Sequence, residues 1–176
     1  MINRNKSVWF WQRIHTPHIG ALAKSLADRG HDVTFVANSL LSKDRTQQGW
    51  ERPELGKVDF ILAEKKSEVI ALAQGAPRET IHLCQGLRGN GLVAVAQRVF
   101  KKRKIKHWIL MEAIDDSGLI GIIKIIIYHI LFYLWRNHLF GVLAIGQKAK
   151  SWFVARGMNK NYVYNFAYFL EKPKIN

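Results

Sequence analysis

The stretch Arg13-Ile14-His15-Thr16-Pro17-His18 puts a guanidinium and two imidazoles within six residues, just after the aromatic run VWFW. A guanidinium fork matches two oxygens of a phosphate or carboxylate. An imidazole donates or accepts near neutral pH. Together they suit an anionic or hydroxyl-rich ligand. A second group, Arg88 and Asn90, lies in the turn GLRGNG, residues 86–91, whose glycines let backbone amides close around an anion. A third group is acidic: Glu112, followed by Asp115 and Asp116. A carboxylate set against a ligand hydroxyl can take its proton, which as general-base catalysis is worth on the order of 10²–10⁴ in rate. Each group also has a structural use. Histidine can cap or solvate a helix start, glycines satisfy a turn, and acids complement a helix N-terminus. Both uses stay open at this stage.

These residues need a scaffold, and the pattern supplies one. Residues 7–12 (SVWFWQ) read as a strand. Thr16 is placed to cap a helix and Pro17 to open it, where its missing N–H costs nothing. Ile19, Leu22, Ala23 and Leu26 form one helical stripe, and Gly30 ends it. Residues 32–37 are a second strand. Further strands are expected at 58–63, 80–84, 107–111, 141–145 and 162–166. Helices are expected at 67–74, 92–104, 119–140 and 147–156, and residues 39–56 are irregular with room for a short helix. Strands alternating with helices predict an α/β fold: a Rossmann-like, doubly wound, mostly parallel sheet. Such sheets bind ligands outside the carboxyl ends of their strands. Arg13, His15, His18, Arg88, Asn90, Glu112 and Asp115 all follow a strand, whereas His82 lies inside one and reads as core.

The segment TPHIGALAKSLADRGHDVTFVA resembles the opening of GT-B glycosyltransferases, especially the large family-four group. LCQGLRGNG, FGVLAIGQKAKSWFVARGM and VYNFAYFLEKP resemble later parts of the same half-enzyme. The resemblance implies that residues 1–176 are one acceptor-side domain. The donor-binding C-terminal domain would lie outside this chain. It also implies transfer of a sugar from a nucleotide-sugar donor to a lipid-linked or cell-envelope saccharide, with Glu112 as the catalytic candidate and no other cofactor. Two departures accompany it. The first loop has only Gly20, and Glu112 stands where many members carry histidine. The alternative is a non-catalytic Rossmann-like module that binds a phosphorylated metabolite or a partner protein.

Composition narrows the partners. The chain carries 27 Lys plus Arg against 13 Asp plus Glu, a net charge of +14. That field favours anions of any kind. Its only cysteine, Cys84, excludes a disulfide framework and a multi-cysteine metal set, so a reducing, cytoplasmic setting and no metal are expected. Lys101, Lys102, Arg103, Lys104 and Lys106 crowd one helix end, and residues 119–135 are almost wholly apolar apart from Lys124 and His129. A bilayer span takes ~20 residues, so this run is at the short end. The pair of features predicts peripheral attachment to an anionic membrane, on its inner face. Nucleic acid is the weaker alternative because no nucleic-acid-binding module is present.

Overall fold

The computed structural model describes residues 5–41, 47 and 53–168. Seven strands form one sheet in the order β3-β2-β1-β4-β5-β6-β7. They are β1 (Ser7–Ile14), β2 (Asp32–Ser39), β3 (Asp59–Leu62), β4 (Ile81–Gln85), β5 (His107–Glu112), β6 (Leu139–Ile145) and β7 (Val163–Phe166). Every pairing between neighbours is parallel. The fold is therefore α/β with a parallel, Rossmann-like sheet. The helices are α1 (Pro17–Asp28), α2 (Lys66–Gly75), α3 (Val93–Arg103), α4 (Gly118–Trp135) and α5 (Ala149–Ala155).

Alternation along each strand sends neighbours to opposite faces. Trp11, Val36 and Cys84 pack with Val69 and Ala73 of α2 and Ala96 and Phe100 of α3. Their neighbours Phe10, Phe35 and Leu83 pack with Ile19 and Ala23 of α1 on the other face. Ile109 and Val142 face Tyr128 and Phe132 of α4 and Trp152 and Phe153 of α5. Right-handed crossovers explain the sides. The chain moves one way from β1 through β3, then returns past β1 to β4 and continues outward, so α1 lies opposite α2 to α5.

Local signals set the element ends. Thr16 is the N-cap and Pro17 the first residue of α1, with no side-chain capping bond. Gly30 follows the helix at φ 87°, in the left-handed region where a side chain is strained. Gly121 is required for a different reason: a Cβ there would run into the Asp116 carbonyl. Its absence lets the first turn of α4 settle onto the preceding loop.

Several boundaries differ from the sequence reading. β1 runs two residues further, because β2 also extends and Ile14 pairs with Ser39. The long helix ends at Trp135, and after a 3-10 turn at Arg136–His138 strand β6 starts at Leu139, which pairs with His107. The short helix allowed within 39–56 falls mostly on positions outside the described residues.

Candidate functional site

The order of the strands reverses between β1 and β4. There the connections diverge to opposite faces and leave a crevice at the carboxyl ends. A cavity of about 600 Å³ opens at that place. Arg13 from β1, His18 from α1, Arg88 and Asn90 from the turn after β4, and Glu112 from the end of β5 all line it. Arg13, Arg88 and Glu112 are exposed to solvent within it.

Polar bonds hold its walls. The Arg13 N–H donates to Gln85 Oε1 at 2.8 Å, tying β1 to β4, and Ser39 Oγ donates to the Arg13 carbonyl at 3.2 Å. Gly91 adopts φ 59° and brings its backbone under Arg13, whose Cγ would lie 3.9 Å from a Cβ there. The Asn90 amide nitrogen lies 2.9 Å from the Gln85 carbonyl, 3.2 Å from that of Gly86 and 3.0 Å from Gln97 Oε1. Gln97 Nε2 closes the ring by donating to the Gly86 carbonyl at 2.8 Å. The glycine-rich turn is thus braced from α3, which presents Arg88 outward.

Tyr168 completes the crevice. Its ring lies over His18 with centroids 4.6 Å apart and planes at 30°, and its hydroxyl donates to Glu112 Oε1. Burial is the main force raising the Tyr168 pKa far above the usual phenol value, and the Glu112 carboxylate adds to it. The phenol therefore stays protonated and acts as donor. The Glu112 carboxylate already accepts one hydroxyl, which is the contact a ligand alcohol would make.

Four residues singled out from the sequence do other work. His15 is buried at 6 % exposure and packs against Phe35 and Phe60, with centroids 5.3 and 4.8 Å away. It does not line the crevice. Its N–H bonds the Ser39 carbonyl at 3.2 Å, so the lengthened β1–β2 pairing holds the backbone that turns its ring into the core. Asn90 lines the crevice, but its amide is committed to the turn. Asp115 accepts the Ser117 N–H at 3.1 Å ahead of α4, and the Ser117 hydrogen bonds are what lower its pKa. It is a turn residue outside the cavity lining. Asp116 is likewise occupied, by the Trp152 indole at 2.9 Å and by an ion pair with Arg156.

The basic cluster lies at the other end of the sheet, where α3 ends. Arg103 donates to the carbonyls of Ala73 and Ala76 at 2.7 and 2.8 Å, so it ties α3 to α2 and is not a free surface cation. Lys101 lies over the Trp135 ring, 5.2 Å from its centroid. Lys102, Lys104 and Lys106 are exposed. Among the described residues no group of three or more His, Cys, Asp or Glu could hold a metal ion.

Two contributors were missed from sequence. Gln97 is seven residues after Asn90, and that spacing on a helix start was a usable signal. Tyr168 is 56 residues beyond Glu112, and no local pattern links the two.

The fold and crevice define a Rossmann-like α/β domain with a cleft at its topological switch point. No protein-family profile matches the chain, and no curated protein matches it. A solved structure it is similar to is a short-chain dehydrogenase from Streptomyces avermitilis, at 12% identity and a TM-score of 0.45, covering 97% of this chain and 73% of that one. That neighbour is an enzyme. Likeness at this level assigns no activity here, and the first strand–helix loop, RIHTPHIG, lacks the three-glycine dinucleotide fingerprint.

The glycosyltransferase resemblance is corrected by the same comparisons. None of them returns a GT-B glycosyltransferase, and the structure found belongs to a dehydrogenase. The RGHDVTFVA segment has a sufficient local cause: Gly30 ends α1, and Asp32 pairs at once with Ser7 to start β2. It marks a strand–helix–strand unit and not that family.

Proposed function

We propose that the chain binds a phosphorylated, hydroxyl-bearing small molecule in the crevice between β1 and β4. One observation carries this reading: Arg13, Arg88, His18 and Glu112 converge on a single cavity at the switch point of the sheet. The two guanidinium groups supply charge-assisted donors for phosphate oxygens. Glu112 supplies the acceptor for a hydroxyl, as the Tyr168 contact illustrates. The apolar floor, with Leu110 and Ile145, suits the carbon face of a ring.

Calorimetry with glucose 1-phosphate and with glucose tests the reading. The phosphorylated sugar binds and the neutral one binds at least tenfold more weakly. Arg13→Ala and Arg88→Ala each weaken the phosphorylated ligand about tenfold, which corresponds to roughly 1.4 kcal/mol. Equal affinity for both probes, or arginine variants that bind as the parent does, overturns it.

A narrower reading is that the bound hydroxyl belongs to a lipid-linked or cell-envelope saccharide that accepts a sugar from a nucleotide-sugar held by another domain. It rests on Glu112, which sits at a strand end with a hydroxyl proton already directed at it. It does not rest on family membership. Its test is calorimetry of a lipid-linked saccharide with the parent and with Glu112→Gln: weaker binding by the variant supports the reading, and equal binding overturns it.

A further inference from the structure

Helix α4 has an outer face that stands open to solvent. Leu119 is 85% exposed, Ile120 69%, Ile123 58%, Ile130 56% and Tyr133 66%. At 100° per residue, Leu119, Ile123, Ile126, Ile130 and Leu134 fall in one strip, flanked by Ile120 and Ile127 on one side and Ile122 and Tyr133 on the other. The opposite strip, with Gly121, Tyr128 and Phe132, is buried. The apolar strip runs the whole length of an 18-residue helix, about 27 Å at 1.5 Å per residue.

By length and composition this helix could cross a bilayer. The topology forbids that orientation. α4 joins β5 to β6, which are adjacent parallel strands in register from Trp108 with Gly141 to Glu112 with Ile145. A span would place the end of β5 and the start of β6 on opposite sides of the membrane and pull Tyr128 and Phe132 from their packing against Trp152. The helix can only lie flat.

Charge selects what it lies on. Arg136 stacks over Tyr133, 4.6 Å from the ring centroid, and Lys101 stacks over Trp135 at the same end of α4. Lys102, Lys104 and Lys106 are exposed at the adjoining end of α3, on the same face of the sheet. α4 contains no aspartate or glutamate, and its basic side chains are Lys124 and His129. An apolar strip bordered by cations matches acyl chains beneath an anionic headgroup layer. A second copy of this chain would bring the same positive charges together.

We propose that the outer face of α4 is a membrane-binding surface that seats in the interface of an anionic bilayer, parallel to its plane, with Lys101, Lys102, Lys106 and Arg136 on the headgroups. The surface is independent of the crevice, so the two proposals fail separately. Cosedimentation of the full chain with phosphatidylcholine vesicles, with and without phosphatidylglycerol, over a salt series tests it. Binding to the mixed vesicles is expected, weakened about tenfold or more by salt or by the double variant Lys102→Glu, Lys106→Glu. The triple variant Ile123→Ser, Ile126→Ser, Ile130→Ser alters only partly or fully exposed positions and is expected to keep its circular dichroism and its glucose 1-phosphate affinity while losing vesicle binding. Equal binding to both vesicle types, salt-insensitive binding, or a triple variant that binds like the parent overturns the proposal. A parent chain that ignores vesicles and dimerises, with the triple variant monomeric, also overturns it and assigns the face to a second copy.

Discussion

The two ends of the sheet both carry histidine and arginine, and they use them in opposite ways. At the carboxyl end His18 stands in an open crevice with Arg13, Arg88 and Glu112. At the amino end His82 and His107 have no exposed surface at all. His82 accepts from the Trp11 indole at 3.3 Å and stacks on Phe100, centroids 4.5 Å apart. His107 packs between Phe100 and Trp135 at 5.8 and 5.9 Å. Arg103 spends its donors on backbone carbonyls there, whereas Arg13 and Arg88 keep their guanidinium groups toward solvent. Residue type alone did not assign the role. Depth in the sheet did: the buried imidazoles are held by the rings around them, with His82 also paired to Trp11, while side chains at the strands' carboxyl ends face the crevice.

Acid should break this contrast at the amino end first, and this is the largest expected effect. Burial pushes His82 down to about 4, with Arg103 adding and the Pro77 carbonyl opposing. Burial, His82 and His138 push His107 down to about 3. Both are neutral in the folded chain at neutral pH, while in the unfolded chain an imidazole titrates near 6.5. Between those values the unfolded state binds more protons, so stability falls as pH drops from about 6.5 towards 4. Each imidazole contributes up to about 1.4 kcal/mol per pH unit in that window. Urea unfolding at a series of pH values measures the slope. His107→Phe removes one titrating group and should flatten it. An unchanged slope in that variant means His107 is not the source.

The second contrast lies within the crevice turn itself, between Asn90 and Arg88. Asn90→Ala removes the brace on residues 85–91 and leaves the carbonyls of Gln85 and Gly86 with fewer donors. It should cost roughly 1–3 kcal/mol of stability, read as a lower denaturation midpoint. Arg88→Ala touches no such network and should leave stability within about 0.5 kcal/mol while weakening the phosphorylated ligand. If the two variants exchange phenotypes, the division between a bracing residue and a contacting one is wrong.

That division shows where the sequence was legible. The parallel sheet was readable because short apolar strand runs alternate with helical stripes, and after α1 Gly30 marks the stop, whereas α4 has no such stop and its end was misplaced. The crevice was readable in outline because strand ends can be located to within a few residues and ligands gather there. The individual side chains were not. Ending β1 at Gln12 left His15 free in a loop, and the two extra residues that pair with β2 turn it into the core. Asn90 and Arg88 look equivalent in GLRGNG, since the partner that separates them, Gln97, acts through tertiary hydrogen bonds. The contact between Tyr168 and Glu112 joins β5 to the chain after β7, and long-range pairings of that kind leave no local pattern.

Tyr168 gives the smallest and sharpest prediction, because it separates two roles for one contact. Its hydroxyl occupies the Glu112 oxygen that the proposed ligand hydroxyl needs, and its ring covers His18. If the phenol stands in for ligand, the two compete. Tyr168→Phe then frees the carboxylate, keeps the ring over His18, and tightens glucose 1-phosphate by a few-fold, under about 1 kcal/mol. The phenol itself should release no proton on binding, since it is held protonated far above neutrality. If Tyr168 instead orients Glu112 toward the ligand, the same variant weakens binding by a similar factor. Calorimetry of the parent and Tyr168→Phe at two buffer ionisation enthalpies reads both affinity and proton uptake. Tighter binding with the same proton exchange as the parent assigns Tyr168 to competition. Weaker binding assigns it to positioning, and in that case Glu112→Gln in the Tyr168→Phe background should cost no more than it does in the parent.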